Sequence, residues 1–99
     1  MKSIMQEKDG RCYLCMKLND DYGIKPTEEH HAIFGTAQRK LSERYGLKVD
    51  LCIFHHRIGA DAVHNNREMA AIIQADAQEA FEKRFPDLDF RAIFGKNYK

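Results

Sequence analysis

No stretch of this 99-residue chain approaches the ~20 consecutive apolar residues that a membrane span requires, and Met1 to Cys15 contains no apolar run of the kind a secretory leader carries. Those two absences predict a soluble, cytoplasmic protein with no membrane partner. An excess of one charge is missing as well. The net charge of +1 excludes a uniformly basic nucleic-acid coat, although an average is compatible with a local basic patch. Cysteine is scarce and odd in number, three residues, which does not suit a disulfide framework. Internal repeats and low-complexity tracts are absent, and neither cysteine nor histidine occurs after His64. What is present, 43% hydrophobic residues with six Phe and four Tyr, is too apolar and too aromatic for a disordered chain. A chain of this length buries only roughly 60–65% of its unfolded surface, so it holds one domain, 1–99, and would gain from a metal staple.

Hydrophobic spacing predicts an α+β fold. Cys12-Tyr13-Leu14-Cys15 reads as a tight pair, followed by a loop over Asn19 to Gly23 and a first strand from Thr27 to Phe34. A short helix is expected over Thr36 to Tyr45, capped by Thr36 and closed by Gly46. Leu47, Val49, Leu51 and Ile53 alternate with Lys48, Asp50 and Cys52, the period of a second strand, so the short helix is an insert within a hairpin. After a loop around Gly59, Asn65 and Glu68 have capping-box spacing ahead of a long helix, about Asn66 to Phe85. Its Met69, Ile73, Ala77, Ala80 and Phe81 share a face expected to pack on the hairpin, and Pro86 stops it. Asp87 can cap a last helix in which Phe90, Ile93 and Phe94 precede Gly95. The chemistry-bearing residues thus fall within 12–66 and the C-terminal helices within 66–95.

Cys12-x-x-Cys15 and Cys52-x-x-His55 each offer two ligands one knuckle apart, and zinc takes four such ligands in a tetrahedron. A structural Cys3His zinc site is the expectation. A redox Cys-x-x-Cys needs a βαβ pattern that the sequence does not offer, and buried inert cysteines are the other alternative. Four further histidines, His30, His31, His56 and His64, exceed structural need. Imidazole is both a common metal ligand and a proton acceptor near neutrality, so the surplus points to a second, catalytic metal centre. Strand alternation would put His30 and His31 on opposite faces unless the strand ends or bulges there, and Glu29 shares a face with His31.

Glu29-His30-His31 on a strand, then Leu51-Cys52-Ile53-Phe54-His55-His56 leading towards a helix, resembles the HNH, or ββα-metal (His-Me finger), nuclease family, in particular its zinc-knuckle members from bacteriophages and their hosts. The match runs from roughly Cys12 to Glu79 and lies in the joint spacing. It implies a ββα-metal hairpin-plus-helix core stapled by zinc, in a bacterial cell or phage-infected host. His30 resembles the first ligand of the catalytic ion, His31 the general base and His56 the returning ligand. The long segment from Arg57 to His64 makes His64 a third candidate ligand. The asparagine that braces the hairpin in many HNH members would fall near Leu47 and is missing, so that support has to come from elsewhere, Asn65 and Asn66 being candidates.

The resemblance implies metal-dependent hydrolysis of phosphodiester bonds, with a catalytic divalent ion that could be magnesium, manganese, nickel or zinc. Charge is polarised in a way that suits a polyanion: between Thr36 and Lys48, Arg39, Lys40, Arg44 and Lys48 face a single acid, Glu43, whereas Arg67 to Asp89 is acidic. Arg39, Lys40, Arg44 and Arg57 are the expected phosphate contacts, with DNA as the expected partner and a homodimer if both strands are cut. The competing class is a non-catalytic zinc module that binds nucleic acid or protein.

Overall fold

The computed structural model describes all 99 residues, in the order α1 (Tyr13–Asn19), β1 (Glu28–His31), α2 (Thr36–Tyr45), β2 (Lys48–Leu51), α3 (Ile53–His56), α4 (Arg67–Arg84) and α5 (Phe90–Phe94). The fold is a small α+β arrangement built on one two-stranded antiparallel sheet. Its register pairs Glu28 with Leu51, Glu29 with Asp50, His30 with Val49 and His31 with Lys48. Both strands are shorter than the sequence predicted, four residues each, with one further backbone bond from Ala32 N–H to the Leu47 carbonyl (2.9 Å) beyond the ladder. Val49 and Leu51 enter the core from one face, and His30 shares that face. Glu29, His31, Lys48 and Asp50 lie on the other.

Two short helices go beyond what the spacing predicts. Cys12 caps α1 through its sulfur, which accepts from the Cys15 N–H at 3.4 Å, so the first knuckle is itself a helix start. Cys52 similarly precedes α3, whose four residues carry His55 and His56. Three expected caps move by one or two positions. Gly35, not Thr36, is the N-cap of α2 and offers no side-chain bond. Asn66, not Asn65, caps α4 by accepting from the N–H groups of Glu68 and Met69, and Asp89 rather than Asp87 caps α5. The C-caps at Gly46 and Gly95 are left-handed, as their positions predicted.

Gly46 is needed twice over. Its φ is +72°, and a Cβ there would lie 2.3 Å from the Lys2 carbonyl oxygen. That close approach lets the N-terminal segment run along β2: Ile4 N–H donates to the Gly46 carbonyl (2.9 Å), the Ser3 hydroxyl to the Lys48 carbonyl (2.6 Å), and Asp50 N–H to the Gln6 side-chain oxygen (2.8 Å).

Ile73, Ala77 and Phe81 of α4 are fully buried, in one continuous core with Val49 and Leu51. Phe81 also has aromatic neighbours. Its ring lies 5.2 to 6.0 Å from those of Tyr45, Phe85, Phe90 and Phe94, an aromatic cluster that joins the ends of α2 and α4 to α5. Phe81→Ala is expected to cost about 3–5 kcal/mol, the range for emptying a buried aromatic site. Denaturant titration checks this, and an unchanged midpoint would contradict it.

Candidate metal centres

The end of β2 and the start of α1 bring Cys12, Cys15, Cys52 and His55 into one buried set. His55 Nδ1 lies 3.5 Å from Cys12 Sγ, 3.4 Å from Cys15 Sγ and 3.4 Å from Cys52 Sγ, and the Cys15 and Cys52 sulfurs are 3.8 Å apart. A tetrahedron with zinc–sulfur bonds of about 2.3 Å has sulfur–sulfur edges of about 3.8 Å, and edges to nitrogen are slightly shorter. The four side chains are therefore spaced to take a metal such as zinc. Burial pushes the Cys15 thiol up to about 12, and Cys12 and Cys52 beside it add to the shift. At Cys52 burial acts in the same direction but is outweighed by the His55 N–H and the neighbouring thiols, so Cys52 ionises more readily than Cys15. A cation held between them would favour the thiolate form that metal binding requires. Lys25 reaches in from the side, its ammonium donating to Cys15 Sγ (3.5 Å) and to Asp21 (2.7 Å).

A second cluster is formed by His30 on β1, His56 at the end of α3 and His64 in the loop before α4, with ligand atoms within 4.8 Å of one another. His30 is only 3% exposed, and its Nε2 has no hydrogen-bond partner. Burial, followed by the neighbouring imidazoles, lowers its pKa to about 3, which keeps it neutral with a lone pair to give. His56 Nδ1–H donates to Glu28 Oε1 at 2.8 Å, which fixes the tautomer and leaves Nε2 as the free ligand atom. That Nε2 is 3.1 Å from His64 Nε2. Metal–nitrogen bonds of about 2.1 Å give nitrogen–nitrogen edges of about 3.0–3.4 Å between octahedral and tetrahedral geometry, so the separation suits a shared cation. An unpartnered buried nitrogen, an oriented imidazole and an exposed third one fit a metal site that stays open on one side.

His31 is not part of that cluster. The pleat turns it to the opposite face of β1, where its Nε2–H donates to Glu43 Oε1 (3.0 Å) and shares that carboxylate with Lys48 Nζ (2.7 Å). Lys48, and then His31, hold the Glu43 carboxyl well below the usual range. Glu29, His31 and Glu43 form a third, more exposed group. Arg57 has a partner that the sequence did not suggest: its guanidinium grips Glu28 with Nε to Oε1 (2.9 Å) and Nη2 to Oε2 (2.7 Å), so it orients the carboxylate that orients His56. Arg39, Lys40 and Arg44 are exposed on α2, and none forms an ion pair.

Sequence reasoning missed both orienting carboxylates. Glu28 was detectable, since it lies two residues from His30 and so on its face of the strand. Glu43 was not, because its meeting with His31 depends on how α2 folds back over the hairpin. Asn65 and Asn66 do not brace the hairpin histidines: Asn65 donates to the Arg57 and Gly59 carbonyls, and Asn66 caps α4. The chain matches no protein-family model, no curated protein and no solved structure.

Proposed function

We propose that this protein is a metal-dependent endonuclease of the HNH type, hydrolysing phosphodiester bonds in nucleic acid, with DNA as the first substrate. The observation that carries the reading is the buried, unpartnered His30 Nε2 facing the carboxylate-oriented His56 and the exposed His64. These three imidazoles would hold one divalent ion, magnesium, manganese, nickel or zinc, which when bound supplies positive charge to the scissile phosphate and its leaving oxygen. Zinc in the Cys12, Cys15, Cys52 and His55 cage would be structural, fixing the start of α3 and hence His56. His31 is the general base of this proposal. Glu43 occupies its Nε2–H and leaves Nδ1 free to accept a proton from water, although the side chain stands across β1 from the three imidazoles.

The unpaired cations of α2 suit a polyanion. Replacing Arg39, Lys40 and Arg44 together by Ala is expected to weaken DNA binding and to flatten its salt dependence by ~0.9 in slope for each phosphate left unneutralised, without unfolding the chain. Equal binding by wild type and triple variant across a salt series would assign these residues to ordinary solvation.

The placement of His31 away from His30 favours one competing reading, a non-catalytic zinc module that binds nucleic acid or protein. The deciding experiment is incubation of the zinc-loaded protein with plasmid, single-stranded and branched DNA, and RNA, across the four divalent metals. Metal-dependent cleavage supports the nuclease; none on any substrate with any metal makes the binding module the better reading.

A further inference from the structure

Phe34 is the one large apolar side chain in the β1–α2 turn that stays at the surface. Ala32 and Ile33 before it are fully buried, whereas Phe34 is 44% exposed. Its backbone is nevertheless held firmly on the N-terminal side. The Ser42 hydroxyl accepts from Ile33 N–H (3.2 Å) and donates to the Ile33 carbonyl (2.7 Å), and Ala32 N–H donates to the Leu47 carbonyl (2.9 Å). The ring lies 5.8 Å from that of His30 and 6.4 Å from that of His64, at the edge of the histidine cluster. Directly after it comes α2 with Arg39, Lys40 and Arg44, none of them in an ion pair.

We propose that Phe34 is a stacking platform for an unpaired nucleobase, and that the substrate of the site is a single-stranded or locally unpaired nucleic acid. This rests on the nuclease reading for the role of the histidines, but the platform itself needs only a nucleic-acid strand. What singles Phe34 out is its place, an exposed ring at the edge of the histidine cluster and just ahead of a helix with three unpaired cations, whose charge favours a polyanionic occupant. A nucleic-acid strand supplies both parts, phosphates for α2 and a flat base for the ring, provided that the base is not already paired and stacked inside a duplex. The duplex buries its base faces, so Phe34 would meet only sugar and phosphate there.

The chain contains no tryptophan, so Phe34→Trp places a single fluorophore at the platform. The expected result is quenching of that fluorescence by phosphorothioate oligothymidylate, which resists cleavage, and little change with a blunt phosphorothioate duplex of the same length. Phe34→Leu, which keeps apolar bulk without a stacking face, should weaken single-strand binding by roughly 5- to 150-fold, the range for one missing base–aromatic stack. Its thermal midpoint should stay at the wild-type value. Unquenched fluorescence at saturating oligonucleotide, or equal single-strand affinity of wild type and Phe34→Leu, overturns the platform. The two readings fail separately. Quenching and weakened binding without cleavage by any metal would keep the platform and remove the nuclease. Cleavage of duplex and single strand at equal rates, unaffected by Phe34→Leu, would keep the nuclease and remove the platform.

Discussion

Cys52→Ala is expected to unfold the chain between Cys12 and His55 and to abolish zinc binding, because structural zinc contributes roughly 10–16 kcal/mol in small zinc-binding peptides and a domain of this size has little stability to spare. Cys52 follows β2, is the N-cap of α3, and stands 3.8 Å from Cys15 Sγ and 3.4 Å from His55 Nδ1. Its loss leaves two buried thiols and an imidazole without the fourth corner, and it frees the helix that carries His56. Phe81, Phe90 and Phe94 belong to the same continuous core as the three cysteines, and Asp76 of α4 bonds Tyr13 and Lys17 of α1, so the loss should lower the stability of α4 as well. Elemental analysis with thermal denaturation, before and after chelation, provides the check. A well-folded, zinc-free wild-type protein would contradict the prediction.

His31→Ala is expected to lower metal-dependent cleavage by about 10²–10⁴-fold, the usual contribution of a general base, while zinc content and thermal midpoint stay close to wild type. His31 touches neither metal cluster and is bonded to Glu43 on a partly exposed face, so its removal should leave both clusters intact. His30→Ala and His56→Ala should instead weaken binding of the second ion. Extra metal then restores part of their activity but none of the activity that His31 supplies. Glu43→Gln gives a finer reading: it keeps the shape of the contact but releases the imidazole tautomer, so activity should fall between wild type and His31→Ala. If His31→Ala cleaves at the wild-type rate while Glu29→Ala or His64→Ala is inactive, the base lies elsewhere in the site.

The parts legible in the sequence are those set by local spacing. The bounds of α2 follow from its amphipathic run and Gly46, the zinc-type ligand set from two knuckles, and the burial of Ile73, Ala77 and Phe81 from the 3.6-residue period. The parts that escape it depend on meetings across the fold. Helix α1 is too short to show a period and exists because a cysteine sulfur caps it. The pairings of His31, His56 and Arg57 join residues 12, 28 and 29 apart, so strand spacing can put Glu28 on the face of His30 but cannot say which side chain it meets. For Phe81 the period identifies the buried face but not the aromatic cluster that covers it.

The N-terminal segment that rides over Gly46 also covers one edge of the sheet. A two-stranded sheet leaves the outer side of β2 as an open row of donors and acceptors, the arrangement that invites another chain to add a strand. Here Ser3 occupies the Lys48 carbonyl, Gln6 takes the Asp50 N–H and Ile4 takes the Gly46 carbonyl, so side chains and a single amide fill the row without continuing it. A strand added on that side of β2 would find these donors and acceptors already taken, by residues that present no ladder of their own.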